Sequence, residues 1–600
     1  MCELPMAPSE MAALGVPEKL RNSGRRIAET DTIAMTDRGF ENIGERWKMA
    51  LLVVVALLVY GNTLWNGFTL DDHGYILHNP AVTHFSVRGL FEPNRANNVL
   101  RPVTFATLAL NWAAGDEHPF GYHLFNVLLH GAVASLLYLV LGKLLEPVRN
   151  GTTVAWVAAL LFVVHPIHTE AVASIVGRSE LLAAGFLLAA WLLHLEDRLI
   201  PLLGCAVLAL MSKESAVVFL PLAVAGDYAR GKLKPVSRYA WIAMVVLLYV
   251  AVFWKLKGGR LGEVSIVFLD NPLASLPAIW RILNAMRIAW QYAGLLVYPA
   301  TLSSDYSYNA ILLYANWQRN ASAIAGALLV VGLWIYLTKT GRREWFLAGA
   351  IYFSAFAVTS NLLIPSGTIM GERLAYLPSA GFCLAIALLW ARLEHYRSKL
   401  AWAALLIVSV ALAARTVARN RDWRDDFSLF STDVRAVPGS AKIHGNLGVE
   451  YKYRGQLDAA IREFQAALRI YPNLPEVLEV YGIVVSQKGS DEEALRLLEK
   501  ALSLTPKESV DYDFRAVSLA AQLSKMGRTD ESLSLLNQVI GESSGYARAW
   551  ANRAVIYYQR GDVERARSDA RTALRLDPAN TQAQSLLNSL DHPAEIEPRR

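Results

Sequence analysis

The sequence predicts an all-α protein: a bundle of membrane-spanning helices followed by an α-solenoid. Two observations carry this reading. Residues 47–417 form one apolar run after another. The whole chain is therefore 54% apolar and only 18% charged, where a soluble domain has about 25% charged residues. Residues 418–600 regain an ordinary mix of Arg, Glu, Asp and Lys and repeat themselves every 34 residues, the mark of stacked helical units.

A helical span needs about 20 mainly apolar residues. Candidates lie near 47–65, 121–145, 152–166, 179–196, 199–211, 214–229, 239–256, 321–338, 345–363, 373–392 and 399–417, about eleven in all. Those near 152–166 and 199–211 are short and need tilting or help from flanking residues. Lys and Arg set the direction. Arg21, Arg25, Arg26, Arg46 and Lys48 place the N-terminus in the cytoplasm. Alternation then puts the basic loops 230–238, 339–343 and 392–399 inside as well. Residues 280–299 are apolar enough to cross, but a crossing there turns Lys339–Arg343 outward. They are read as an amphipathic or re-entrant helix on the outer face. Residues 1–46 are polar and read as a disordered cytoplasmic tail, not a signal peptide. The net charge of +6 is modest and sits largely in these short loops, so no nucleic-acid partner is expected. Cys2, Cys205 and Cys383 offer neither a disulfide framework nor a cysteine metal site.

The repeats begin after a linker expected at 418–440. Leu447, Gly448, Tyr451, Ala460, Phe464, Ala467 and Pro472 form one unit. Tyr481, Gly482, Ala494, Leu498, Ala501 and Pro506 repeat its pattern, as do Trp550, Tyr557, Ala566, Ala570, Ala573 and Pro578. Gly527, Ser532, Leu536 and Val539 mark a degenerate copy between them. Small residues let two helices approach and the proline ends the second, which is the tetratricopeptide pattern. Four units over 441–584, with 585–600 as a disordered tail, predict a stacked array whose groove binds peptide or protein.

Ionisable residues gather at the span ends that face outward. Asp71 and Asp72 follow the first span. Arg101 comes later in the same loop. His165, His168, Glu170 and Arg178 follow the third span, Lys213 and Glu214 the fifth, and Glu372 and Arg373 open the tenth. Singly, each has a bland reading: an Asp-rich turn, histidines packed at a helix break, local ion pairs. His165 and His168 lack the nearby ligands of a zinc site. Together they make a polar site at a membrane interface, where ionisable groups are costly and usually functional. Such a site suits a substrate with a lipid tail and a charged head.

The strings FTLDDHGYILHNPAV, RPVTFATLALNW, HPFGYHLFNVLLH, FVVHPIHTEAVASIVGRSELLAA, MSKESAVV and GERLAYLPSAGFCLAIAL resemble the transmembrane-and-TPR protein O-mannosyltransferase family, in the family's order across roughly residues 47–600. The resemblance implies a C-type membrane glycosyltransferase fold and a polyprenyl-phosphate sugar as donor, with mannose the expected sugar. It implies inverting transfer to Ser/Thr hydroxyls of proteins on the non-cytoplasmic face. Asp71 is then the expected base, with Asp72 orienting it or the acceptor. Arg101, Lys213 and Arg373 are candidates for the donor phosphate. His165, His168, Glu170, Arg178, Glu214 and Glu372 shape the pocket. No metal site and no cofactor are expected. Acceptor protein is expected in the TPR groove.

The array of four units is shorter than in eukaryotic members. With few cysteines and no signal segment, the expected location is a bacterial inner membrane with the repeats outside, or the endoplasmic-reticulum membrane in a eukaryote. Two other readings use the same features: the same fold acting on an envelope glycan or lipid, and a non-catalytic TPR scaffold. A scaffold has no need of convergent charges at membrane depth.

Overall fold

The computed structural model describes residues 44–91, 100–256, 266–340, 342–509 and 511–591. All but three residues of the expected 1–46 tail lie outside them. Helices longer than ten residues are numbered in chain order. The membrane part holds α1 (Glu45–Tyr60), α2 (Pro102–Gly115), α3 (Phe120–Leu144), α4 (Gly151–Val164), α5 (Arg178–Leu195), α6 (Leu199–Ser212), α7 (Phe219–Arg230), α8 (Val236–Leu256), α9 (Ala278–Val297), α10 (Trp317–Lys339), α11 (Arg343–Ala357) and α12 (Pro378–Asp422).

These helices run between two ends. At one end basic residues meet neighbouring turns: Lys234 pairs with Asp197 at 2.7 Å, Arg230 with Glu146 at 3.3 Å and Lys143 with Glu196 at 3.4 Å. At the other end the long loops converge, and the repeats follow. α12 is two legs: its backbone leaves helical geometry at Arg397, and the indole of Trp390 donates to the carbonyl of Ala401 across the resulting hairpin at 3.0 Å. Among the described residues six helices are long and apolar enough to span by themselves, and α4 with the bent segment that follows it makes a seventh candidate. The chain is a multi-pass membrane protein.

α9 is not among those six. Its preceding loop hydrogen-bonds Ile369 through Asp270, and its following loop reaches Glu372 through Ser303. Both flanks thus lie at the repeat end.

Lipid gives no hydrophobic drive for helices to associate, so close packing must do it. α4 sits at the centre and is buried almost all round. α8 and α10 lie outermost, burying only Ile242 in α8 and Asn320 and Ala323 in α10. Gly381 lets α12 touch α11; a Cβ there meets the carbonyl oxygen of Ala348 at 2.4 Å.

The repeats are four helix pairs: α14 (Ala441–Tyr453) with α15 (Leu457–Ile470), α16 (Pro475–Gln487) with α17 (Asp491–Ser503), α18 (Tyr512–Lys525) with α19 (Thr529–Glu542), and α20 (Ala547–Gln559) with α21 (Val563–Leu576). Two boundaries differ from the sequence reading. The expected linker 418–440 is helical: α12 runs on to Asp422 and α13 spans Asp426–Ala436. The expected tail from 585 begins inside α22 (Thr581–Asp591), whose Ala583, Leu586 and Leu587 are buried against the fourth pair. An array needs a last helix to cover its open apolar face.

Gly381→Ala is expected to cost about 1–3 kcal/mol by overpacking, read as a lower thermal midpoint in detergent. An unchanged midpoint contradicts the α11–α12 contact.

Candidate functional site at the repeat end of the bundle

The site rests on two breaks in the helices beneath it. α4 stops at Val164 because Pro166 has no N–H to continue the ladder. The chain then bends by 54°. His165 repairs the bend: its Nδ1 accepts from the Ile167 amide at 3.2 Å and its Nε2 donates to the Leu296 carbonyl at 2.9 Å. His168 donates from Nε2 to the Ser379 hydroxyl at 2.8 Å. Both rings are buried and face inward. Their work is to hold the break, and neither opens on the mouth. Among the described residues no three His, Cys, Asp or Glu side chains group closely enough to hold a metal.

The second break, between Ala173 and Arg178, is stapled by three polar side chains. Asn126 turns its amide NH2 toward the carbonyls of Val172, Ser174 and Ile175 at 3.2–3.3 Å. Arg178 is fully buried and donates to the Asn126 and Asn111 side chains and to the Thr107 and Tyr122 carbonyls at 2.6–3.1 Å. Asp72 accepts from the amides of Val176, Ile175 and Thr69 at 2.8, 3.3 and 3.1 Å. Burial raises its carboxyl to about 7, against those three donors. Asp72 and Arg178 are therefore floor: buried groups that hold the backbone beneath the mouth.

Above this floor the charged groups meet as expected. Asp71 is exposed and faces Arg373, carboxylate to guanidinium at 3.4 Å. Arg373 also reaches Glu170 at 3.3 Å, and the Arg373 amide donates to the same carboxylate at 2.8 Å. Lys213 is ion-paired with Glu180. Arg101 forks onto Glu214 with contacts of 3.2 and 2.7 Å. Arg373, Lys213, Glu170 and Glu180 stand within Coulombic range of one another, and Lys213 is within range of Arg101 and Glu214. Five separate stretches thus supply one mouth with three cations, three carboxylates, and Asp71 at its rim.

Glu372 is fully buried and accepts from the Ser303 amide at 2.6 Å and the Tyr306 hydroxyl at 2.8 Å. Burial pushes its carboxyl up to about 8. It lies in the layer beneath the repeats, beside Arg419 and Asp433 and within Coulombic range of Glu170.

Sequence reasoning missed Asp426. Its carboxylate accepts from the Leu70 amide and meets Nε2 of His73, each at 2.8 Å, so it brackets Asp71 and Asp72. At the head of α13 it reads as a helix-capping acid, and only the long-range contact reveals more.

Asp72→Ala strands three buried amides, each costing about 1–3 kcal/mol, and is expected to lower the thermal midpoint strongly. The exposed Asp71→Ala is expected to stay within about 0.5 kcal/mol of wild type. Equal midpoints for the two variants contradict the floor-and-rim arrangement.

Residues 441–474 and 547–580 match the tetratricopeptide repeat family model, coinciding with the first and fourth helix pairs. The chain is 30% identical over 443 residues to protein O-mannosyl-transferase F38B6.6 of Caenorhabditis elegans, covering 71% of this chain and 63% of that protein. It is 27% identical over 596 residues to protein O-mannosyl-transferase TMTC3 of Mus musculus, covering 89% and 64%. It is 27% identical over 605 residues to protein O-mannosyl-transferase Tmtc3 of Drosophila melanogaster, covering 84% and 65%. The chain thus spans just under two thirds of the length of these relatives. Over most of its length the chain is similar to curated protein O-mannosyl-transferases.

Proposed function

We propose that the chain transfers a sugar, mannose by its relatives' names, from a polyprenyl-phosphate donor to Ser/Thr hydroxyls of proteins. The observation that carries this reading is the mouth itself. An exposed carboxylate stands beside three cations at one end of an apolar bundle, and the curated relatives are named for this transfer. On this reading the eleven expected spans cross the bilayer. The basic end faces the cytoplasm, and the mouth and repeats face the other side.

The reaction is a single displacement. Asp71 takes the proton of the acceptor hydroxyl as its oxygen bonds to the anomeric carbon. The bond from that carbon to the phosphate oxygen breaks on the opposite face, inverting the centre. The departing lipid phosphate carries the electron pair and gains charge, which Arg373, Arg101 and Lys213 offset. Their present carboxylate partners keep these cations in place until the phosphate arrives. The displacement needs no cofactor. The donor's tail lies in lipid while its head reaches the mouth, and the repeat groove presents the acceptor.

The test is transfer of radiolabelled mannose from polyprenyl-phosphate-mannose to protein in membranes containing the chain. Asp71→Asn is expected to reduce transfer by on the order of 10²–10⁴, the usual weight of a general base, without loss of folded protein. Full activity in that variant rules Asp71 out as the base.

A further inference from the structure

The helix that leads into the repeats, α13, does not hang beside the mouth; it grips it. Leu70, immediately before Asp71, adopts a left-handed backbone with φ of 51°. A branched L-residue enters this region only at a cost, and holds it only when its surroundings over-determine it. The determinant is the carboxylate of Asp426. The Leu70 amide donates to Oδ1 of Asp426 at 2.8 Å, and the other oxygen of the same carboxylate meets Nε2 of His73 at 2.8 Å. One side chain thus fixes the residue before the acidic pair and the residue after it. The clamp is reinforced next door, where the Gly67 amide donates to the Arg424 carbonyl at 2.9 Å. His73 is faced by Asp72 from its own loop, by Asp426 from α13 and by Glu450 from α14. Phe427 and Leu70 pack in one apolar cluster with Trp423 and Leu447.

We propose that Asp426 is a positioning residue for Asp71: it lies outside the membrane bundle, touches no reacting atom, and sets the direction in which the Asp71 carboxylate points. This rests on the reading of Asp71 as the base. It makes the base conditional on the docked repeat domain, so that a chain whose α13 is displaced has a membrane bundle but a misaimed carboxylate. Hydrogen bonds to a charged acceptor are the stronger kind, which suits a clamp that must hold a strained turn.

Two measurements on the purified full-length chain test it. Amide hydrogen exchange over residues 68–74 is expected to quicken in Asp426→Ala. In Asp426→Asn, which keeps an oxygen for the Leu70 amide but loses the charge facing His73, it is expected to quicken less. In the transfer assay Asp426→Ala is expected to lower kcat by about 10- to 100-fold, the scale of a small misplacement of a catalytic group, with KM for the donor nearly unchanged. Tyr471→Ala cuts another tie between repeats and membrane part, its ring contacts with Phe268 and Tyr308, and is expected to change neither readout. Wild-type exchange over 68–74 in Asp426→Ala overturns the clamp, and so does an equal kcat loss in Tyr471→Ala, which points to simple undocking. Asp71→Asn measured alongside separates the two readings. If it retains transfer, the assignment of the base fails, while the exchange data still decide whether Asp426 holds the turn.

Discussion

The carboxylate of Asp72 and the amides of Ile175 and Val176 join two loops that must both exist for the mouth to form. A helix broken near lipid exposes N–H and C=O groups that no water there can satisfy. The break between Ala173 and Arg178 is tolerable because Asp72 takes its amides, Asn126 takes its carbonyls, and Arg178 ties Asn126 to α2 and α3. Once the break is fixed, Asp71 is carried to the rim by its neighbour, and Glu170 is set under Arg373. The polar residues nearest the chemistry in sequence are thus spent on the backbone beneath it.

That division explains what could be read before any coordinates. The repeat pattern and the apolar runs gave the helical bundle and the stacked repeats, because periodicity and span length are properties of one stretch at a time. The convergence of Asp71, Arg101, Lys213 and Arg373 was legible too, since alternation of spans puts their loops at one end. Inside or outside a pocket was not legible. Asp71 and Asp72 are adjacent and identical, yet one is exposed and one sealed, decided by which of them faces the Val176 amide. Glu372 and Arg373 are also neighbours, yet one is fully buried beneath the repeats and the other reaches Asp71. His165 and His168 are buried at the helix break, His165 bonded to the Ile167 amide and the Leu296 carbonyl and His168 to the Ser379 hydroxyl.

The boundary between membrane and soluble parts was the least legible feature. Composition changes near 418, but α12 ignores the change and runs to Asp422 as one helix from beyond its Arg397 turn. Arg419, fully buried, then pairs with Asp422 and Asp433 at 3.1 and 2.9 Å, and Asp433 accepts from the Ser304 amide at 2.6 Å. Charged residues that suggest solvent in a string of letters are here the interior of a joint. Paired and hydrogen-bonded, they escape the penalty of a lone buried charge.

The same joint divides the solenoid unequally. In a stacked array each pair touches only its neighbours. Here α13 and α14 are committed to the loops of the membrane part, whereas α16 to α22 pack on one another. Units beyond the first can therefore be lengthened, shortened or exchanged as a cassette without disturbing the loops around Asp71. Variation can accumulate at one end of the solenoid while the other end is held to the membrane part.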